Sequence, residues 1–144
     1  MPATFADISW GSSITSAVAQ IRSKDFTVLH KDSILIRAEG KIFGKVSKIN
    51  LNFDQMNLYK VEVYIGVTVA HAVFEYERIA SILSQKYGSP ILEEIDGAAW
   101  RNASTCGTEI ILTLTPSHEQ IGIVYTSPEL TVSEDDLEAS KDLF

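Results

Sequence analysis

A short amphipathic helix followed by alternating strands occurs twice in this 144-residue chain, first over 10–65 and again over 74–125. Helical and strand periodicities alternating in this order specify an α+β domain, because each amphipathic element needs a partner layer for its apolar side. The simplest solution is one mostly antiparallel sheet of about seven or eight strands, with two helices packed on one face. Such a frame uses nearly every apolar residue as core and leaves few side chains over for chemistry.

The first helix begins after Ser12 or Ser13, either of which can accept a backbone N–H bond as a cap. Ile14, Val18 and Ile21 follow at helical spacing. Phe26 to His30 and Ser33 to Glu39 read as strands, and Gly40 and Gly44 bracket a turn or bulge. Ile49, Leu51 and Phe53 then alternate with polar residues. A turn over Asp54–Asn57 leads into Tyr59, Val61, Val63 and Ile65, completing a hairpin. In the second half Tyr76, Ile79, Ala80, Leu83 and Tyr87 form one stripe of a helix from about Val73, which Gly88 and Pro90 end. Ile91 to Ile95 reads as a strand, and Gly97 to Gly107 as irregular chain apart from Trp100, forming a hairpin with a long loop. Ile110, Leu112 and Leu114, then Ile121, Ile123 and Tyr125, give the last two strands.

Composition bounds the function. A hydrophobic content of 45% with 22% charged residues belongs to a folded globular domain, not to a disordered chain. No apolar run approaches the ~20 residues of a membrane-spanning helix. The opening Met1–Asp7 lacks the basic and apolar segments of an export signal, which implies a cytoplasmic protein, or a periplasmic one whose signal has been removed. The lone Cys106 excludes an internal disulfide. Residues 1–60 carry eight basic and five acidic side chains (+3), whereas residues 61–144 carry four and fourteen (−10). Bulk attraction to nucleic acid is therefore not favoured, although Arg37, Lys41, Lys45, Lys48 and Lys60 cluster in the first half. Opposite charge on the two halves also raises homodimerisation through a basic-to-acidic contact.

Residues 1–128 read as one domain and 129–144 as an acidic tail with a helix-start pattern of its own. Ser133 can cap, Glu134, Asp135 and Asp136 favour the positive end of the helix dipole, and Val132 can staple onto Leu137. Two roles are open to this tail. It folds onto its own domain through Leu137 and Phe144, or Leu143 and Phe144 enter a partner's pocket while Asp135 and Asp136 steer toward a basic rim. Ending in phenylalanine after an acidic run, it resembles the docking tail of bacterial single-strand DNA-binding proteins, with Leu143 where those carry proline.

Nothing in the chain composes a catalytic centre. His30, His71 and His118 lack the spacing of metal ligands on one helix turn, and no basic neighbour activates Cys106, which reads as a small buried or half-buried residue. Glu93, Glu94 and Asp96 read as a solvated loop. Trp10-Gly11 reads as a tryptophan over one end of the core with a glycine turning the chain into the helix. No catalytic residue, metal ligand or cofactor is expected, and the chain is expected not to be an enzyme.

The Phe-x-x-Ile-x-Trp-Gly-Ser-Ser opening from Phe5 to Ser13 and the Leu-x-x-Lys-Tyr-Gly-x-Pro stretch from Leu83 to Pro90 resemble uncharacterised bacterial α+β domains. The opening is more distantly similar to the helix starts of outer-membrane assembly lipoproteins and β-lactamase inhibitor proteins. Those families bind other proteins, so the resemblance implies a non-enzymatic protein-binding or accessory domain. Size, acidity and element order are also similar to the small chaperones of bacterial secretion systems. A small-molecule or lipid carrier is the remaining alternative; it needs a cavity between sheet and helices, and the aliphatic pattern implies none.

Overall fold

A computed structural model of the chain describes residues 4–128. Helix α1 (Ile14–Ser23) precedes strands β1 (Thr27–Lys31), β2 (Leu35–Ile42), β3 (Lys45–Asp54) and β4 (Asn57–Gly66). Helix α2 (Ala72–Tyr87) precedes β5 (Leu92–Glu93), β6 (Gly97–Trp100), β7 (Glu109–Leu114) and β8 (Gln120–Thr126). All eight strands form one open antiparallel sheet in the order β1-β2-β3-β4-β8-β7-β6-β5. Each half is thus a helix and a four-strand meander, and the halves join through their last strands. Val61, Val63 and Ile65 face Tyr125, Ile123 and Ile121 across that seam. Antiparallel pairing of equivalent strands relates the halves by a local two-fold centred on Val63 and Ile123. The repeat seen in the sequence is therefore a repeat of topology.

Both helices cover the same face, and the core lies beneath them. The periodicities explain why. Ala17, Val18 and Ile21 on α1, and Tyr76, Ile79, Leu83 and Tyr87 on α2, are buried against Ile36, Ile49, Leu51, Leu112 and Ile123 of the sheet. Ser13 caps α1, its hydroxyl accepting the Ser16 N–H at 3.1 Å. The far end of α2 is clamped by the second meander: the Trp100 indole N–H donates to the Gly88 carbonyl at 3.0 Å and the Asn102 amide donates to the Tyr87 carbonyl at 3.0 Å. These bonds satisfy carbonyls that a helix terminus otherwise leaves unpaired. Trp10 bridges the halves, its indole N–H donating to the Thr108 hydroxyl at 2.9 Å.

Several local expectations are corrected. Gly40 lies inside β2, and the β2–β3 turn is Phe43-Gly44, with φ of 52° and 75°. The β3–β4 turn does fall within 54–57, where Gln55 and Met56 take φ of 49° and 68°, the backbone that a tight two-residue hairpin requires. A bulge beside Asn52 and Phe53 shifts the register, so Leu58 is buried in place of Tyr59. Only Leu92–Glu93 of the 91–95 stretch is strand. The hairpin with a long loop expected after Gly97 is present as β6 paired with β7, although Gly97–Trp100 is regular strand where irregular chain was expected. Ile14 is only partly buried.

Equivalent positions in the two halves show how one frame accepts different residues. Ala38 of β2 faces Ile49, and Ala98 of β6 faces Leu112, so both alanines occupy the same site under a helix. Two residues further on stand Gly40 in one half and Trp100 in the other. The first half fills the space with Phe26, whose ring lies so close to Gly40 that an added Cβ would be 2.3 Å from Cδ1. Gly40→Ala is therefore expected to destabilise by about 1–3 kcal/mol, the usual cost of overpacking. Equilibrium denaturation should show Phe26→Leu/Gly40→Ala losing less than the sum of its single variants; strict additivity would contradict the packing.

Candidate functional site

The chemistry-bearing residues lie apart. His30 pairs with Asp32 at 2.8 Å at the β1–β2 turn, His71 meets the Thr68 hydroxyl at 3.0 Å before α2, and His118 sits in the β7–β8 turn. The hydrogen bond from His30, helped by the Ile34 and Leu35 N–H groups, holds the Asp32 carboxyl below its ordinary range. Cys106 is exposed, not buried or half-buried as expected, because its φ of 51° places it at the tip of a turn. Among the described residues, no three His, Cys, Asp or Glu side chains converge as a metal ion requires. The residues expected to hold a partner, Asp135, Asp136, Leu137, Leu143 and Phe144, lie outside the described residues, as does the expected C-terminal helix.

Two surfaces carry more information than these isolated groups. The first is the sheet face that the helices leave bare. Registered neighbours across it run Arg37, Asn50, Glu62, Val124, Ile111, Ala99 and Leu92, from β2 to β5. The adjoining row runs Glu39, Lys48, Tyr64, Gly122, Thr113 and Gly97. Strand alternation puts each row on one face. In the second half of this face the row Leu92, Ala99, Ile111 and Val124 is uncharged, with Leu92 54% and Ile111 38% exposed, and Glu109 of β7 stands two residues before Ile111 on the same face. The first half carries mostly polar residues beside an exposed Val46 and, through Arg37, Lys41, Lys48 and Lys60 against Glu39 and Glu62, is predominantly basic. Of the five basic residues read as a cluster, only Lys45 falls on the other face, opposite Ile42.

A small network marks the border between these regions. Glu62 accepts from the Asn52 amide at 2.9 Å and from the Tyr64 hydroxyl at 2.6 Å. The Tyr64 ring covers Gly122, where an added Cβ would sit 3.7 Å away. Burial, then the hydrogen bond and charge of Glu62, push the Tyr64 phenol up from 10.0 to about 12. Each effect favours the neutral phenol, so Tyr64 supports the fold below its unfolded range, and this support is lost as pH rises toward 12.

The second surface is a groove of about 570 Å³ between α2 and the β5–β6 hairpin. Helix α2 contributes Tyr76, Glu77, Ala80 and Ser84, and the hairpin contributes Glu93, Glu94, Ile95 and Trp100. Tyr76 is only 5% exposed, and its hydroxyl is buried without a hydrogen-bond partner. Burial raises its ionisation above the usual tyrosine range, and the carboxylates of Asp96, Glu93 and Glu94 add to the shift. The loop read as merely solvated therefore faces a buried phenol across a groove. The sequence concealed this because Tyr76 satisfies the helical core stripe equally well.

A smaller recess, about 150 Å³, lies under α2 among Ile42, Phe43, Ile79, Ile123 and Tyr125, where the aliphatic pattern implied none. It is smaller than the roughly 300 Å³ at which ligand pockets usually begin. Beside it the Arg78 guanidinium lies 4.2 Å over the Phe43 ring and 5.5 Å from the Phe74 ring, and it pairs with the mostly buried Glu75. This cation–π stack covers apolar surface on the β2–β3 hairpin.

No protein-family model matches this chain, and comparisons with curated proteins and with solved structures find no match.

Two measurements check these sites. Tyr76→Phe removes an unpaired buried hydroxyl, so it is expected to leave stability unchanged or raise it by about 1 kcal/mol; a clear loss in thermal or urea denaturation would mean that the hydroxyl has a partner. In an ultraviolet titration near 295 nm, Glu62→Gln should bring the Tyr64 transition below its value near 12, leaving the part due to burial. An unmoved transition would remove Glu62 from the network.

Proposed function

We propose that this chain is a non-enzymatic protein-binding domain that receives its partner on the bare face of the sheet. The observation that carries the reading is the uncharged strip Leu92–Ala99–Ile111–Val124. It crosses four strands, about 14 Å at the usual strand spacing, with Gly97, Thr113 and Gly122 beside it. Small residues keep the strip shallow, so a partner's backbone can approach. Exposed Leu92 on β5 and Ile111 on β7 supply the apolar area from which interfaces gain affinity. The basic first half of the face suits acidic groups on the same partner and would speed their encounter. Its resemblance to protein-binding families points the same way.

The test places a photo-crosslinking residue at Ile111, with Gln85 on the exposed side of α2 as the control. One protein adduct of defined mass is expected at Ile111 and none at Gln85. With that partner purified, Ile111→Lys should weaken binding roughly tenfold or more, while the denaturation midpoint stays close to that of the parent. Absence of an Ile111 adduct, or unchanged affinity of Ile111→Lys, would overturn the reading. If deletion of residues 129–144 abolishes binding and Ile111→Lys does not, the partner is held by Asp135, Asp136, Leu137, Leu143 and Phe144 instead.

A further inference from the structure

The groove between α2 and the β5–β6 hairpin is on the helix side of the sheet, so it is separate from the bare face. Its walls and its rim differ in kind. Val73, Ala80, Ile95 and Trp100 give apolar surface, and Ile95 is 92% exposed. Glu77, Glu93 and Glu94 stand among the lining residues, which include no lysine, arginine or histidine. Asp96 also acts on the Tyr76 phenol. Three carboxylates therefore line one groove and a fourth acts on the phenol beside it, and an excess of one charge in a partly enclosed site focuses its field on the opposite charge.

An acidic rim alone would be only a solvated loop. The buried Tyr76 hydroxyl is the second observation. A buried hydroxyl without a partner costs free energy unless something pairs with it. Tyr76 lines the acidic groove with 95% of the residue covered, and the carboxylates of Asp96, Glu93 and Glu94 act on its phenol. A ligand N–H reaching that oxygen supplies the missing bond. A bare metal ion does not fit the arrangement, since no three acidic, histidine or cysteine side chains among the described residues converge on a point. Hydrocarbon walls call for a ligand with a stem. The volume of about 570 Å³ lies in the range of small organic ligands.

We propose that this groove binds an organic cation: an ammonium or guanidinium group, directed to the Tyr76 hydroxyl and the surrounding carboxylates, on a hydrocarbon stem about as long as a lysine side chain. The stem lies along Val73, Ala80 and Ile95. The cationic head brings several N–H donors, and the groove offers a phenol oxygen and carboxylate acceptors in return. A free aliphatic amine and the side chain of a lysine or arginine in a protein segment share this chemistry.

Titration calorimetry on the full chain tests the proposal with n-pentylamine as the free amine and acetyl-Gly-Lys-Gly-amide as the protein-borne form. 1-Pentanol is the neutral control. Saturable binding is expected for at least one of the two cations, weakening as sodium chloride is raised, with 1-pentanol at least tenfold weaker. Tyr76→Phe, which leaves the fold intact, should weaken the cation roughly tenfold, as for losing one hydrogen bond to a charged group. Glu93→Gln/Glu94→Gln should weaken it as well and flatten the salt dependence. Preference for pentylamine identifies a free amine and preference for the peptide identifies a protein segment; either supports the site. Ile111→Lys should bind as the parent does, which keeps this test independent of the bare sheet face. The proposal is overturned if neither cation binds, if 1-pentanol binds equally well, or if Tyr76→Phe and the double glutamine variant retain full affinity.

Discussion

The pairing of β4 with β8 is the interaction on which the rest of the architecture depends. Val61, Val63 and Ile65 on one side, and Tyr125, Ile123 and Ile121 on the other, are all buried at this seam. Every other strand reaches it through hairpin-linked neighbours. Separated there, each half would be one helix on four strands, with an exposed edge where the seam had been and about half of the core. A domain of that size buries too little apolar surface for comfortable stability. The seam also joins residues about 60 positions apart in the sequence, so its closure entropy is met late and only after local hairpins have formed.

Placing both helices on one side of the seam decides what the other side must do. The bare face cannot hold the large aliphatic residues of the covered face without exposing them, so in the first half it carries Arg37, Lys48 and Asn50. At the centre, water reaches less of each side chain, and the sheet uses a tied network there: Asn52 and Tyr64 both donate to Glu62. With Tyr64 laid over Gly122, an aromatic ring replaces the side chain that glycine lacks. The second half abandons this solution. Val124, Ile111, Ala99 and Leu92 stand in the row where polar residues stood, and no demand of folding explains that change.

How much of this was legible in the sequence follows from what each signal measures. Periodicity reports burial on one face, and it located α1, α2 and the strands ending in Ile65, Leu114 and Tyr125. It is silent on pairing partners, so the contact of β4 with β8 came only from the structure. It also fails where a residue's neighbour, not its own pattern, sets the geometry. Gly40 looked like a turn because nothing in the sequence indicates that Phe26 lies over it. Gly97 to Ala99 looked irregular, within what read as a long-looped hairpin, because a strand of four residues has too few alternations to register. At Tyr59 the bulge broke the count of two. The groove was hidden for a different reason: Tyr76 belongs to the apolar stripe of α2, and only its position opposite Glu93, Glu94 and Asp96 separates it from an ordinary core tyrosine.

The two halves offer an internal control on which features folding requires. Val28 faces Ala38 in β1, and Glu93 faces Ala98 in β5, so they are equivalent positions on the helix side of the outer strands. Val28 packs against the core, as a residue at the rim of a covered face should. Glu93 puts a carboxylate there and, with Glu94 and Asp96, crowds negative charge near the buried phenol of Tyr76. The frame evidently accepts an apolar residue at this site, and like charges this close oppose one another. The second half also has the two-residue β5 where the first has the five-residue edge β1, and the groove lies between that short hairpin and α2. Equivalent frames that differ by a lost strand segment, an acidic turn and an unpaired hydroxyl have diverged where packing did not require it. Divergence of that kind is better accounted for by a ligand than by the fold.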